Sequence, residues 1–216
     1  MDKLYKHKLH NNYILAIIYT FSALILGFAL NDGLVLFMGW NMVLATLPFL
    51  CSEVLVHSYQ KQYHKSILFI LLFLFIIFWP NAMYMMTDLI HFQNYAFFKE
   101  YPDIYNFNLV QWIVFAHILI GALLAAKIAI DSICNLSKTA VSISRQMKLM
   151  SLNLLFILSS MAIYIGRFLR YNSWDIYKIF NIIKDIFSNF SFFIGFVLLM
   201  WGIQMTIYLL FKPKNI

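Results

Sequence analysis

The sequence predicts an all-α polytopic membrane bundle, with about six transmembrane helices plus one interfacial amphipathic helix. Three observations carry this. Of the 216 residues, 62% are hydrophobic and only 12% are charged, against about 25% charged in an average soluble domain. Mean hydropathy is +0.77, so there is too little polar surface to clothe a soluble globule, and lipid must cover the apolar remainder. The apolar residues also fall into six runs, each close to the roughly 20 residues that cross a hydrocarbon core.

The first run, Tyr13–Leu30, follows Lys3, Lys6 and Lys8 and superficially resembles a signal peptide. It has the length of a span and no A-x-A cleavage site after it, which predicts a retained first helix. The second run, Leu34–Val56, contains Pro48, expected to kink it, and Asn41, about 10 Å below the membrane face. An asparagine at that depth glues helices together or contacts a substrate. Glu53 and His57 stand four apart at the other end of this run, where water is expected. The third and fourth runs are Ser66–Met86 and Leu109–Ile130, and His117 lies about 12 Å down the fourth. The fifth is Leu149–Gly166. The sixth, Phe190–Phe211, carries Gly195 and Gly202 a heptad apart, a spacing that suits close helix packing. Between the fifth and sixth, residues 174–187 place Ile176, Ile179, Phe180, Ile183, Ile186 and Phe187 on one face. Asp175, Lys178, Asn181, Lys184 and Asp185 lie largely opposite. That stretch is too polar to span and is expected to lie in the interface, with Asn172 or Ser173 as its cap. No internal repeat is visible, so residues 1–216 read as a single integral membrane domain.

Lysine and arginine set the expected orientation. Eleven of them fall on the side of the N-terminus, the 57–65 loop, the 127–148 linker and the tail, and five on the other side. Both termini are therefore expected to be cytoplasmic, in a plasma membrane. The net charge of +7 then reads as retention against an anionic leaflet. Nucleic-acid binding is excluded, because no basic face with interleaved base-stacking aromatics occurs. Cys51 sits in an apolar run and Cys134 in a loop, with no C-x-x-C and no disulfide framework.

This orientation sends three polar stretches to the outer face: "NDG" at 31–33, "FWPNAMYMMTDLIHF" at 78–92 and "GRFLRYNSWD" at 166–175. If the helix continues past Pro80, then Asn81, Tyr84, Asp88 and His91 fall within an arc of roughly 80°. A polar stripe at the membrane boundary faces protein or water, since facing lipid is costly. On the bland reading, Asn81 and Tyr84 repair the backbone at Pro80 while Asp88 and His91 are solvated. On the functional reading, the stripe lines a cleft. Asp88 and His91 are a carboxylate–imidazole pair suited to acid–base catalysis. Their i,i+3 spacing also admits a divalent metal, with His117 or Asp32 as a third ligand, although no H-E-x-x-H motif accompanies them. His117 alone reads as a hydrogen-bonded intramembrane histidine. Arg167 and Arg170 share a helix face that suits a phosphate or carboxylate, or they snorkel to the surface.

The two long motifs, "WPNAMYMMTDLIHF" and "GRFLRYNSWDI", resemble the signature stretches of a bacterial multi-pass membrane family catalogued as domain of unknown function 1361. Those stretches look like L-P-N-A-P-Y-I-x-T-D-L-x-H-L and G-R-F-L-R-W-N-S-W-D. "GWNMVLATLPF" resembles a further family stretch, so the similarity runs from the second span onward. By matching position the resemblance covers Asn41, Pro80, Asn81, Tyr84, Thr87, Asp88, His91, Gly166, Arg167, Arg170, Asn172, Ser173, Trp174 and Asp175. The chain departs from the pattern at Met83, where proline is usual, and at Tyr171, which replaces a tryptophan. It departs again at Phe107-Asn108, where Tyr-Asp is expected. The resemblance implies a location and candidate residues and carries no reaction.

The sequence thus points to an outer-face polar cleft on an uncharacterised cell-envelope membrane protein. Its expected ligand is an anionic lipid or lipid-linked substrate. Asn41, Asn81, Tyr84, Arg167, Arg170 and Asp175 would bind it, and Asp88 and His91 would act on it. A solute or lipid transporter and a non-catalytic partner subunit stay open beside this reading, as does whether the protein is an enzyme.

Overall fold

The structure, a computed structural model, describes residues 3–98, 104–137, 139, 144–171 and 175–213. Among the described residues seven α-helices run in chain order: α1 (Lys3–Leu30), α2 (Gly33–Gln60), α3 (Lys65–Thr87), α4 (Leu109–Ser137), α5 (Arg145–Arg167), α6 (Ile179–Ser188) and α7 (Phe190–Phe211). All but α6 are long and apolar enough to cross a membrane. The chain is therefore an all-α, multi-pass membrane bundle, as its composition predicts. Among the described residues the only β pairing is the isolated bridge between Phe98 and Tyr105.

Local chemistry fixes the helix ends. The Asp32 carboxylate accepts from the backbone N–H groups of Leu34 and Val35 at 2.9 and 3.2 Å. It thereby caps α2 by satisfying donors that have no partner within the helix. Asn31 before it takes a left-handed φ of 51°, a conformation asparagine tolerates, which lets α1 turn back onto α2 in two residues. Ser144 caps α5 through the Met147 N–H. Asn172, Ser173 and Trp174, and so the expected cap at 172 or 173, lie outside the described residues.

The helix α2 is central and touches α1, α3 and α4. It contributes Met38, Met42, Ala45 and Phe49, all fully buried, to the core. The helix α4 packs against it and buries Ala122, Ala125, Ala126 and Ala129. Small side chains let backbones approach, and dispersion then supplies the attraction that the hydrophobic effect cannot supply in lipid. Gly39 serves the same end on the other flank, where a Cβ would press on Ala23 of α1. The α5–α7 pair joins this group through α3 and α4: Trp79 of α3 stacks on Phe156 of α5 with ring centroids 5.4 Å apart. The Trp79 indole N–H donates to the Ala129 carbonyl at 3.3 Å.

Two expectations are corrected. A Cβ at Gly195 or Gly202 would meet nothing within 4 Å, so neither glycine serves close packing within the chain. And α4 continues past Ile130 to Ser137, which takes Lys127, Asp131 and Cys134 into a helix rather than a linker.

Candidate functional site

Alternation of the helices brings the start of α2, the end of α3 and the end of α5 to one end of the bundle. The local sequence then shapes each of them. Thr87 donates its hydroxyl to the Tyr84 carbonyl at 2.6 Å and so competes with the helical ladder. There α3 stops, and Asp88–Asn94 continues as a 3-10 helix. With three residues per turn, Asp88 and His91 stand one above the other. Arg167 occupies the last turn of α5, where a cation is favoured by the helix dipole.

Arg167 gathers these groups. Its Nη2 donates to Asp88 Oδ1 at 2.5 Å and to Thr87 Oγ1 at 2.6 Å. Its Nε donates to the same Thr87 oxygen at 3.1 Å. Its Nη1 lies 3.2 Å from His91 Nε2. Arginine has only donors, so that ring nitrogen is the acceptor. The guanidinium also lies 4.2 Å above the centre of the Tyr84 ring, within cation–π range. The other Asp88 oxygen accepts from Asn41 Nδ2 at 3.0 Å. Asp88 is fully buried and the Arg167 side chain is 15% exposed. The pair is thus a desolvated ion pair whose carboxylate has a donor on each oxygen, the condition under which burial of charge is tolerated.

The family described as "Protein of unknown function (DUF1361)" matches residues 40–207, more than half of the chain. The chain belongs to this family. The matched stretch holds every residue of the Arg167 network, whereas α1 lies ahead of it. No curated protein and no solved structure matches the chain.

In this DUF1361 protein the other predicted residues are not joined to Arg167 or Asp88 by a hydrogen bond or ion pair among the described residues. Arg170 is exposed, with φ at 57°, and makes no hydrogen bond or ion pair among the described residues. The reason is the ending of α5. Past the cap at Phe168 the chain turns left-handed at Arg170, and Tyr171 N–H reaches back to the Ile165 carbonyl at 3.3 Å, a conformation that a non-glycine residue adopts at a cost. It therefore leaves the helix face of Arg167. Asp175 is buried and accepts from Lys178 Nζ at 2.8 Å. This bond holds the Lys178 ammonium above its ordinary pKa. Asn81 is half-buried. Asp32 turns to Tyr95, whose hydroxyl donates to Oδ2 at 2.8 Å. Burial, and then this bond, raise the phenol's pKa. Among the described residues no cluster of three or more His, Cys, Asp and Glu side chains is placed to hold a metal.

Sequence reasoning gave no role to three groups that the structure singles out. Thr87 sits inside a quoted motif, and its oxygen takes two of the Arg167 donors. Tyr19 of α1 stacks on His117 of α4, with centroids 4.4 Å apart and planes 8° from parallel. Instead of the expected hydrogen bond, His117 Nε2 is buried without a partner, as is the Tyr19 hydroxyl. Asp131 is nearly buried and pairs with Lys127 Nζ at 2.5 Å. It also accepts from Asn12 Nδ2 at 2.9 Å. The i,i+4 spacing of Lys127 and Asp131 was the available signal, hidden by ending the span at Ile130. Glu53, expected in water, is half-buried and accepts from the Tyr13 hydroxyl.

Proposed function

We propose that this multi-pass membrane protein binds, and acts on, an anionic lipid or lipid-linked substrate at the outer face of the plasma membrane. Both termini lie in the cytoplasm, and α6 rests in the outer interface. The observation that carries this reading is the buried Asp88–Arg167 pair at the bundle end that receives both long motifs. Ionisable groups at such depth are costly and mark working sites in membrane proteins. Arg170, exposed beyond that pair, is the first contact for an incoming phosphate. Arg167 is the second, its Nη1 exchanging His91 for a substrate oxygen. His91, released from Arg167, and Asp88 then serve as the proton-handling groups, while Asn41, Asn81, Tyr84 and Asp175 shape the surroundings.

The test uses protein in nanodiscs of zwitterionic lipid, titrated with phosphatidylglycerol and followed by thermal shift. Arg170→Gly is the informative variant, because glycine suits the left-handed backbone there and leaves the fold intact. It should weaken the anionic-lipid response about tenfold or more, the loss expected for one charge-assisted contact. An unchanged response in both Arg170→Gly and Arg167→Lys would overturn the reading.

A transporter reading has its own support. A second charged group, Asn12–Lys127–Asp131, with its carboxylate buried and its lysine partly exposed, lies toward the opposite end, with Tyr19 and His117 between. Labelling of cysteines at positions 41, 117 and 53 from both faces would favour it, and protection throughout would sink it.

A further inference from the structure

We infer that the connection between α3 and α4 is a membrane-surface element, whose outward side lies in the headgroup and upper acyl region of the bilayer. Its two described arms, residues 95–98 and 104–108, are tied together. Phe98 and Tyr105 form a β-bridge, with ring centroids 5.0 Å apart. The Asn106 backbone N–H donates to the Phe97 carbonyl at 2.8 Å, and its carboxamide donates to the Ala96 carbonyl at 3.1 Å. Successive residues of an extended arm point to opposite sides. Phe97 turns inward, against Trp112 and Phe115 of α4 with centroids 5.4 and 5.9 Å away. Phe98, on the other side, is exposed, as are Ile104, Tyr105 and Phe107.

The depth of these arms along α4 identifies what covers their apolar side. Leu109 opens α4, and the first charged residue of that helix is Lys127, 18 positions on. At 1.5 Å per residue this apolar length is about 27 Å, nearly the whole of a roughly 30 Å hydrocarbon core. Leu109 therefore stands close to the hydrocarbon boundary. Phe115 lies about 9 Å deeper, and both Phe97 and Phe92 of the 3-10 helix pack on its ring. The connection thus folds down the flank of α4 instead of projecting into water. Its exposed side chains run on into those of Leu109 and Val110, which a membrane-spanning helix turns to lipid. An exposed apolar patch calls for a partner, and continuity with the lipid-facing side of α4 makes that partner the bilayer. Tyr105, an apolar ring with a polar tip, is of the type enriched at headgroup level. The inference concerns the α3–α4 connection alone and holds whatever Arg167 binds.

A nitroxide on Phe107→Cys, read by power-saturation EPR in phosphatidylcholine proteoliposomes, tests it. Phe107 is 93% exposed, so the substitution leaves the packing intact. The unsubstituted chain, labelled in parallel, reports any signal from Cys51 and Cys134. Lys61→Cys, in the exposed turn at the opposite end of the bundle, supplies the aqueous reference. At position 107, and at Tyr105→Cys, collisions with oxygen should exceed those with a water-soluble nickel chelate severalfold, with the reverse at 61. Nickel collisions equal to or above oxygen collisions at 107 would place the connection in water. Protection from both reagents would show protein, such as a second copy of this chain, covering it. Either result would overturn the inference.

Discussion

Two carboxylates toward opposite ends of the bundle bind the same chemical partners, an asparagine carboxamide and a cation, yet they do different structural work. Asp131 takes Lys127 from four residues away on its own helix and Asn12 from α1. Asp88 takes Arg167 from 79 residues away and Asn41 from 47. The first pair is local, and its lysine is 35% exposed. It decorates α4 and docks α1 on it. The second is fully buried at the carboxylate and joins three helices that nothing in local sequence brings together. A charge pair specifies a fold when its partners are distant and desolvated, and contributes little more than a tether when they are neighbours near water.

The largest expected effect breaks the Asp88 pair. Arg167→Ala leaves a buried carboxylate without its cation and should destabilise by about 3–5 kcal/mol, read as thermal unfolding in detergent micelles. Asp88→Asn in that background should recover part of the loss, because the stranded group no longer carries charge. Next, Asn41→Leu removes the donor to the second Asp88 oxygen and should cost about 1–3 kcal/mol. Lys127→Met should cost no more than about 1 kcal/mol, since solvent screens that pair and Asn12 still serves Asp131. If Lys127→Met matched Arg167→Ala, the distinction between the two ends would fall. The smallest effect has the opposite sign. Arg170→Gly should stabilise by about 0.5–1 kcal/mol, the relief of a left-handed non-glycine residue less the added chain entropy of glycine. A loss of stability there would mean that the Arg170 side chain holds a partner after all.

The six spans were legible because a hydrocarbon core demands length and apolarity and little else. That the motifs at 78–92 and 166–175 share one end of the bundle was legible from counting spans. Which side chains meet was not. Periodicity reports the faces of one helix and is silent about neighbours, so the pairing of Asn41, Asp88 and Arg167 had no local signal. It also assumed that α3 continues as an α-helix past Thr87 and that α5 keeps Arg170 on the face of Arg167. The Thr87 side chain and the left-handed turn at Arg170 alter both. Tyr19 was missed because one tyrosine in an apolar span has no distinguishing pattern until His117 is set against it.

The distance in sequence between Asp88 and Arg167 has a consequence for biogenesis. The first four helices, which make up most of the core, are synthesised and inserted before α5 exists. At about 5–20 residues per second of synthesis, the 79 residues between the two partners take roughly 4–16 s to emerge. Throughout that interval Asp88 has Asn41 as its available donor and no counter-charge. A carboxylic acid in that position is best kept protonated, or held at the headgroup level, until the arginine arrives. Docking of α5 is then also the step that sets the charge state of Asp88, so assembly of the last helices and completion of the ion pair are a single event.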